Sequence, residues 1–159
     1  MRRMTFRSLF RLLPVIAVAI LSSCAAKPQG FTKVKIYRLD PTAKITAVDP
    51  SIPFEQKYLL HGAVSKADQE ARRGNYYTFF WKADDLTQPV KLRFEYRQSV
   101  TRSSVKRQEI ELAGVNRNNV TKLQITGEEY QKNGKVLAWR ASLIQGGKEI
   151  ATTQSFMWQ

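Results

Sequence analysis

One cysteine and one histidine are all that the 159 residues hold of the two side chains that most often bind zinc. Cys24 therefore has no partner for an internal disulfide, and a zinc site of the His/Cys type is excluded. Whatever domain forms must be stable without cross-links. His61 lies in the stretch from Tyr58 to Val64, which reads as an apolar strand; a lone imidazole there is a structural residue rather than a base. A serine nucleophile would lack a base, and neither a Gly-x-Ser-x-Gly elbow nor a phosphate-cradling glycine loop is present. The only adjacent carboxylates, Asp84-Asp85 and Glu128-Glu129, sit beside turn signals. Neighbours on a strand point to opposite faces, so neither pair is arranged for general acid–base work. No enzyme, no metal and no cofactor is expected.

Long apolar runs are missing too. The run Leu12 to Leu21 is ten residues, half of the roughly 20 needed to cross a bilayer. Acidic residues are scarce, 13 against 26 lysines and arginines, and not one falls in the first 24 positions. That opening segment carries Arg2, Arg3, Arg7 and Arg11, then the apolar run, then Leu21-Ser22-Ser23-Cys24. A basic head, a short apolar core and small residues at a cleavage point make a secretory signal peptide. Its last four residues, an aliphatic residue, two small ones and Cys, resemble the lipobox of bacterial lipoproteins. The resemblance implies cleavage just before Cys24, a diacylglycerol on its sulfur and usually an acylated new amino terminus. In two-membraned bacteria, Asp directly after the cysteine tends to retain such proteins in the inner membrane. Ala25 accordingly implies the outer membrane, with the protein facing the periplasm. Ordinary cleavage after Ala26, which would discard Cys24 and release a soluble protein, is the competing reading.

The expected organisation is a signal peptide over 1–23, a lipidated cysteine and tether over 24–30, and one domain over 31–159. The tether, Ala-Ala-Lys-Pro-Gln-Gly after Cys24, has nothing apolar of size to pack and two structure breakers. Four of the 26 basic residues leave with the signal, so 22 remain against 13 acids, a net charge of +9. An exported location argues against nucleic acid as the partner of that charge. Besides the membrane reached through the lipid, anionic lipid headgroups, acidic glycans or an acidic envelope protein are the better candidates.

From residue 31 the pattern has period two, the mark of strands with one face in water. Val90 to Arg97 alternates apolar and charged residues; Asn75 to Trp81 is aromatic and β-branched on both faces, as in a central covered strand. Residues 104–112 place Ile110 and Leu112 on one face. Phe31 to Leu39 reads as a strand, and Asp40-Pro41 and Asp49-Pro50 to Pro53 bracket a short second one. Further strands are expected over 120–130 and 135–144, the latter with Leu137, Trp139, Ala141 and Leu143 on one side, and over 148–158 with Ile150, Phe156 and Trp158. Asn133-Gly134 and Gly146-Gly147 read as hairpin turns. One short helix is expected over 65–74, N-capped by Ser65 with Asp68 three residues on and closed by Gly74.

Seven to nine strands at this spacing predict an all-β, immunoglobulin- or fibronectin-like antiparallel β-sandwich with one short helix; a small β-barrel is the alternative. Trp81, Trp139 and Trp158 read as core anchors. The best candidate binding surface is a basic ribbon: Lys91, Arg93 and Arg97 on one strand face, with Arg102, Lys106 and Arg107 around the following turn. Such charges also guard exposed strand edges. A ligand carrier would instead need an aromatic pocket, with Tyr76, Tyr77 and Trp81 nearest to hand. The two functional readings are therefore a non-enzymatic, membrane-anchored binding or assembly module, and a carrier or sensor of an anionic lipid, glycan or small molecule.

Overall fold

The computed structural model describes residues 29–43 and 49–158. The signal peptide, the lipobox cysteine and most of the tether lie outside the described residues, as does the middle of the short strand expected between the two Asp-Pro pairs. Seven strands follow in order: β1 (Gly30–Leu39), β2 (Gly74–Lys82), β3 (Val90–Gln98), β4 (Lys106–Leu112), β5 (Asn118–Thr126), β6 (Val136–Gln145) and β7 (Lys148–Gln154). They form two antiparallel sheets, β1-β2-β5 and β4-β3-β6-β7. The chain changes sheets after β2, β4 and β5, giving the open immunoglobulin/fibronectin-like sandwich rather than a closed barrel. The first strand begins at Gly30, paired with Lys82, so that residue belongs to the sheet and not to the tether.

The inner faces are built by the alternation visible in the chain. On β3, Val90, Leu92, Phe94 and Tyr96 are buried, while Lys91, Arg93, Glu95 and Arg97 point out. Facing them from the other sheet are Tyr77, Phe79 and Trp81 of β2 and Leu123 and Ile125 of β5, while Trp139, Ala141 and Leu143 of β6 extend the same inner face beside them. Phe79 meets Phe94 at 6.0 Å and Trp139 at 5.8 Å between ring centres, tilted or edge-on as aromatic quadrupoles prefer. The Trp81 indole N–H donates to the Thr121 hydroxyl at 2.9 Å, satisfying the one polar atom this ring buries. Buried amides then clip the layers together. Asn75 accepts from the Val136 N–H at 3.0 Å, Gln98 donates to the Glu129 and Gly134 carbonyls, and Gln145 to those of Asp85 and Gln88.

Among the described residues three helices are present where one was expected: α1 (Ser51–Leu59), α2 (Lys66–Ala71) and α3 (Gly127–Asn133). The strand anticipated over 58–64 is instead the end of α1 and a turn, with His61 exposed in it. Pro50 and Pro53 fall at the N-cap and in the first turn of α1, where a missing N–H costs nothing, and the Asp49 carboxylate takes the Ser51 N–H at 2.8 Å. Its C-terminal carbonyls are capped from outside: the Arg72 guanidinium donates to the Leu59 and His61 carbonyls at 2.8 and 2.7 Å, a cation at the negative end of the helix dipole. The expected capping box of Ser65 and Asp68 is formed on α2, but Gly74 opens β2 instead of closing the helix.

The Asn133-Gly134 turn is a correction of more consequence. Gly134, at φ 78°, ends α3 by donating to the Tyr130 carbonyl at 2.7 Å, so it is a helix terminus and not a hairpin. A Cβ at that position would run into Ser99. Because α3 intervenes, β5 and β6 pair in different sheets. The Gly146-Gly147 hairpin does join β6 to β7. Leu137 also departs from its expected face: Arg97 pairs with Ala138 and Gln98 with Val136, which leaves Leu137 bulged and 37% exposed. Trp158 is no core anchor either. It lies beyond β7, half-buried, with the Arg97 guanidinium 4.8 Å above its ring. Phe156, expected on the same apolar face, is 93% exposed.

Candidate binding surfaces

The six cations of the expected ribbon do not form a basic surface together. The register of β3 and β4 sets Arg93 opposite Glu109, Lys91 opposite Glu111 and Arg107 opposite Glu95. Arg93 Nε reaches Glu109 at 2.9 Å, Lys91 Nζ reaches Glu109 at 3.2 Å and Glu111 at 3.5 Å, and Arg107 reaches Glu95 at 2.9 Å. Hydrogen bonds from Arg93 and Lys91 hold the Glu109 carboxyl below its ordinary range. Lys106 points away from the ladder and pairs with Glu129 of α3 at 2.7 Å. Arg97 covers Trp158. Arg102 sits exposed in the β3–β4 turn with φ 42°. With Arg140 paired to Glu149 at 3.2 Å, five cations on this outer face meet four carboxylates. The acids of β3, β4 and β7 thus nearly neutralise this outer face.

The other sheet has the opposite character. Its outer face is set by the register Tyr37–Tyr76–Gln124, Lys35–Thr78–Lys122, Lys33–Phe80–Val120 and then Lys82–Asn118. These strands place no carboxylate on this face, and Lys33, Lys35, Lys82 and Lys122 make no ion pair with any described carboxylate. Two of them reach over aromatic rings instead: Lys35 Nζ lies 5.9 Å from the centre of Phe80 and Lys122 Nζ 5.5 Å from that of Tyr58. Lysines this far apart in the chain carry no local signal, and the sequence pattern does not single them out.

Helix α1 lies across the upper part of the same face. The Tyr37 hydroxyl touches the Ile52 carbonyl at 3.5 Å. On either side of the helix runs a cleft. One, of about 250 Å³, is lined by Glu55, Tyr58, Tyr76, Thr78, Lys122 and Gln124. The other, of about 300 Å³, is lined by Lys35, Tyr37, Ser51, Ile52, Glu55 and Tyr76. Phe54, Lys57, Tyr58 and His61 follow helical spacing along one side of α1, from which Tyr58 also reaches the cleft beside Lys122. Phe54 is 68% and Tyr58 56% exposed. Of the three aromatics named for a ligand pocket, Tyr76 lines both clefts, Tyr77 borders the smaller one and Trp81 lines neither. Tyr77 and Trp81 are locked in the inter-sheet core, where burial raises the Tyr77 phenol above its ordinary range.

No protein-family model matches the chain, and neither does any curated protein sequence or solved structure.

A third exposed region lies at the end of the sandwich away from Gly30. There the β3–β4 turn, the C-terminus of α3 and the segment after β7 converge, joined by hydrogen bonds from Val100 N to the Asn133 carbonyl and from Ser155 N to the Trp139 carbonyl. Val100, Leu137, Phe156 and Met157 are all exposed at this pole.

Proposed function

We propose that the chain is a non-enzymatic envelope lipoprotein, anchored through Cys24 in the outer membrane and serving in the periplasm as a binding or assembly module for another protein. The observation that carries this reading is the exposed apolar set at the pole remote from Gly30. Large apolar side chains grouped on a surface mark contact with a partner, and here they share one end of the sandwich with a half-buried tryptophan braced by Arg97. The sandwich beneath is packed with aromatic rings, which supplies the rigid platform a docking surface needs. Two or more acyl chains at Cys24 would hold it stably where one would be reversible.

The carrier reading draws on the clefts beside α1, with their tyrosines and lysines. At 250 and 300 Å³ they lie at or below the lower limit for small-molecule sites, roughly 300 Å³. It is the weaker of the two.

The test is isolation of the processed protein from its own envelope in mild detergent after cross-linking, beside the Phe156→Ser, Met157→Ser double variant. A protein recovered in stoichiometric amount with the wild type and lost from the variant is expected. Recovery of only a retained lipid or glycan would overturn the assembly reading in favour of the carrier.

A further inference from the structure

We propose that the outer face of the β1-β2-β5 sheet, together with α1 laid on it, seats the domain against the anionic phospholipid surface of the membrane that holds its anchor. This rests on the reading of Cys24 as the lipidated residue and adds an orientation to it. Three observations support it independently of one another.

The first is reach. Six residue steps separate Cys24 from Gly30, and a fully extended chain covers about 20 Å in that length. Gly30 is hydrogen-bonded in the ladder beside Lys82, so the tether delivers the lipid to the edge of this face. A sandwich held that closely must turn some side to the headgroups.

The second is charge. Lys33, Lys35, Lys82 and Lys122 stand on the face unpaired with any described carboxylate, and Lys57 of α1 lies on the same side. Glu55 is the one carboxylate among the described residues that line the clefts beside the helix. The opposite face of the sandwich is the ion-pair ladder. Its near-neutrality gives anionic lipid no reason to choose it. An acyl anchor reinforced by a polybasic patch is a two-signal attachment, and each lysine near an anionic surface adds appreciably.

The third is the apolar relief. Phe54, Tyr58 and Val120 project from this lysine-ringed face at 68, 56 and 57% exposure. A short helix that points aromatic residues outward, among lysines whose stems can snorkel, suits the boundary between headgroups and acyl chains.

The experiment uses the full processed protein, its acylation verified by mass, reconstituted through its own anchor into two kinds of vesicle. One kind is phosphatidylcholine alone and the other contains about one-third phosphatidylglycerol. Amine-reactive labelling is then read lysine by lysine. Lys33, Lys35, Lys57, Lys82 and Lys122 should label about fivefold more slowly on the anionic vesicles. Lys91, Lys106 and Lys132 should label equally on both, and about 0.5 M salt should erase the difference. Equal labelling of the five face lysines on both vesicles overturns the orientation while leaving the anchored module intact. Protection of these lysines by an acidic polysaccharide but not by vesicles also overturns it. An unacylated Cys24 would instead remove the anchor, and with it the reading on which this orientation depends.

Discussion

The Asn75 side-chain oxygen accepts a hydrogen bond from the Val136 backbone N–H at 3.0 Å, tying the start of β2 in one sheet to the start of β6 in the other. Asn75 is a buried polar residue at the end of the aromatic core. Removing an acceptor from an N–H held out of water leaves the full desolvation cost of that donor, about 1–3 kcal/mol. Asn75→Ala should therefore lower unfolding free energy by that amount in a denaturant titration, with the slope unchanged. A loss below about 0.5 kcal/mol would mean that water readily replaces the amide.

The tryptophans separate by environment. Trp139 packs against Tyr77, Phe79 and Phe94, so Trp139→Ala should cost about 3–5 kcal/mol. Trp158 keeps one half-exposed contact with Arg97, worth about 1 kcal/mol at most. Thermal melts of the two variants check this. Equal shifts would contradict the placement of Trp158 outside the core.

Neutralisation of the ribbon is testable at Glu109, which serves both Lys91 and Arg93. Exposed ion pairs contribute little to stability, so Glu109→Gln should leave the melting temperature nearly unchanged. Freeing Arg93, and leaving Lys91 to Glu111 alone, should nevertheless delay elution from a heparin column to higher salt. Unchanged elution would show that the ladder does not mask the ribbon.

The pH dependence follows from hydroxyl partners. Asp40, Asp68 and Asp85 accept from Thr42, Ser65 and Thr87, which hold all three carboxyls below their ordinary range; Thr152 does the same for Glu149. A depressed folded value contributes stability above the unfolded pKa and loses it as pH falls through the folded one. The melting temperature should thus be flat from about pH 8 to 5 and drop below about pH 4. At the other end, burial and then Glu129 push the Tyr96 phenol up to about 12. That contribution is complete below the unfolded value near 10 and lost as pH rises toward the folded one. A melting temperature that rises between pH 5 and 3 would contradict these assignments.

What could be read from the chain divides by distance along it. The alternation of Val90 to Arg97 places four side chains in the core and four in water with no long-range knowledge, and the Ser65–Asp68 capping box is equally local. Asn133-Gly134 misleads because the same dipeptide suits a hairpin turn and a helix end. What decides between them is the preceding segment, where Glu128 and Glu129 fill a first helical turn and Lys132 a last one. The prolines at 50 and 53 likewise read as strand breakers and act as a helix start. The binding surfaces were the least legible. Six cations are visible between 91 and 107, but their neutralisation needs the register that sets Glu109 against Arg93. The lysine face needs β1, β2 and β5 side by side, strands drawn from residues 30 to 126.

The account as a whole stands on the fate of Cys24, and the most direct measurement is the mass of the amino-terminal peptide of the protein recovered from its own envelope. An amino terminus at Cys24 carrying a diacylglycerol, and usually a further acyl chain, is the predicted result. An unmodified peptide beginning at Lys27, as cleavage after Ala26 would leave, would contradict it.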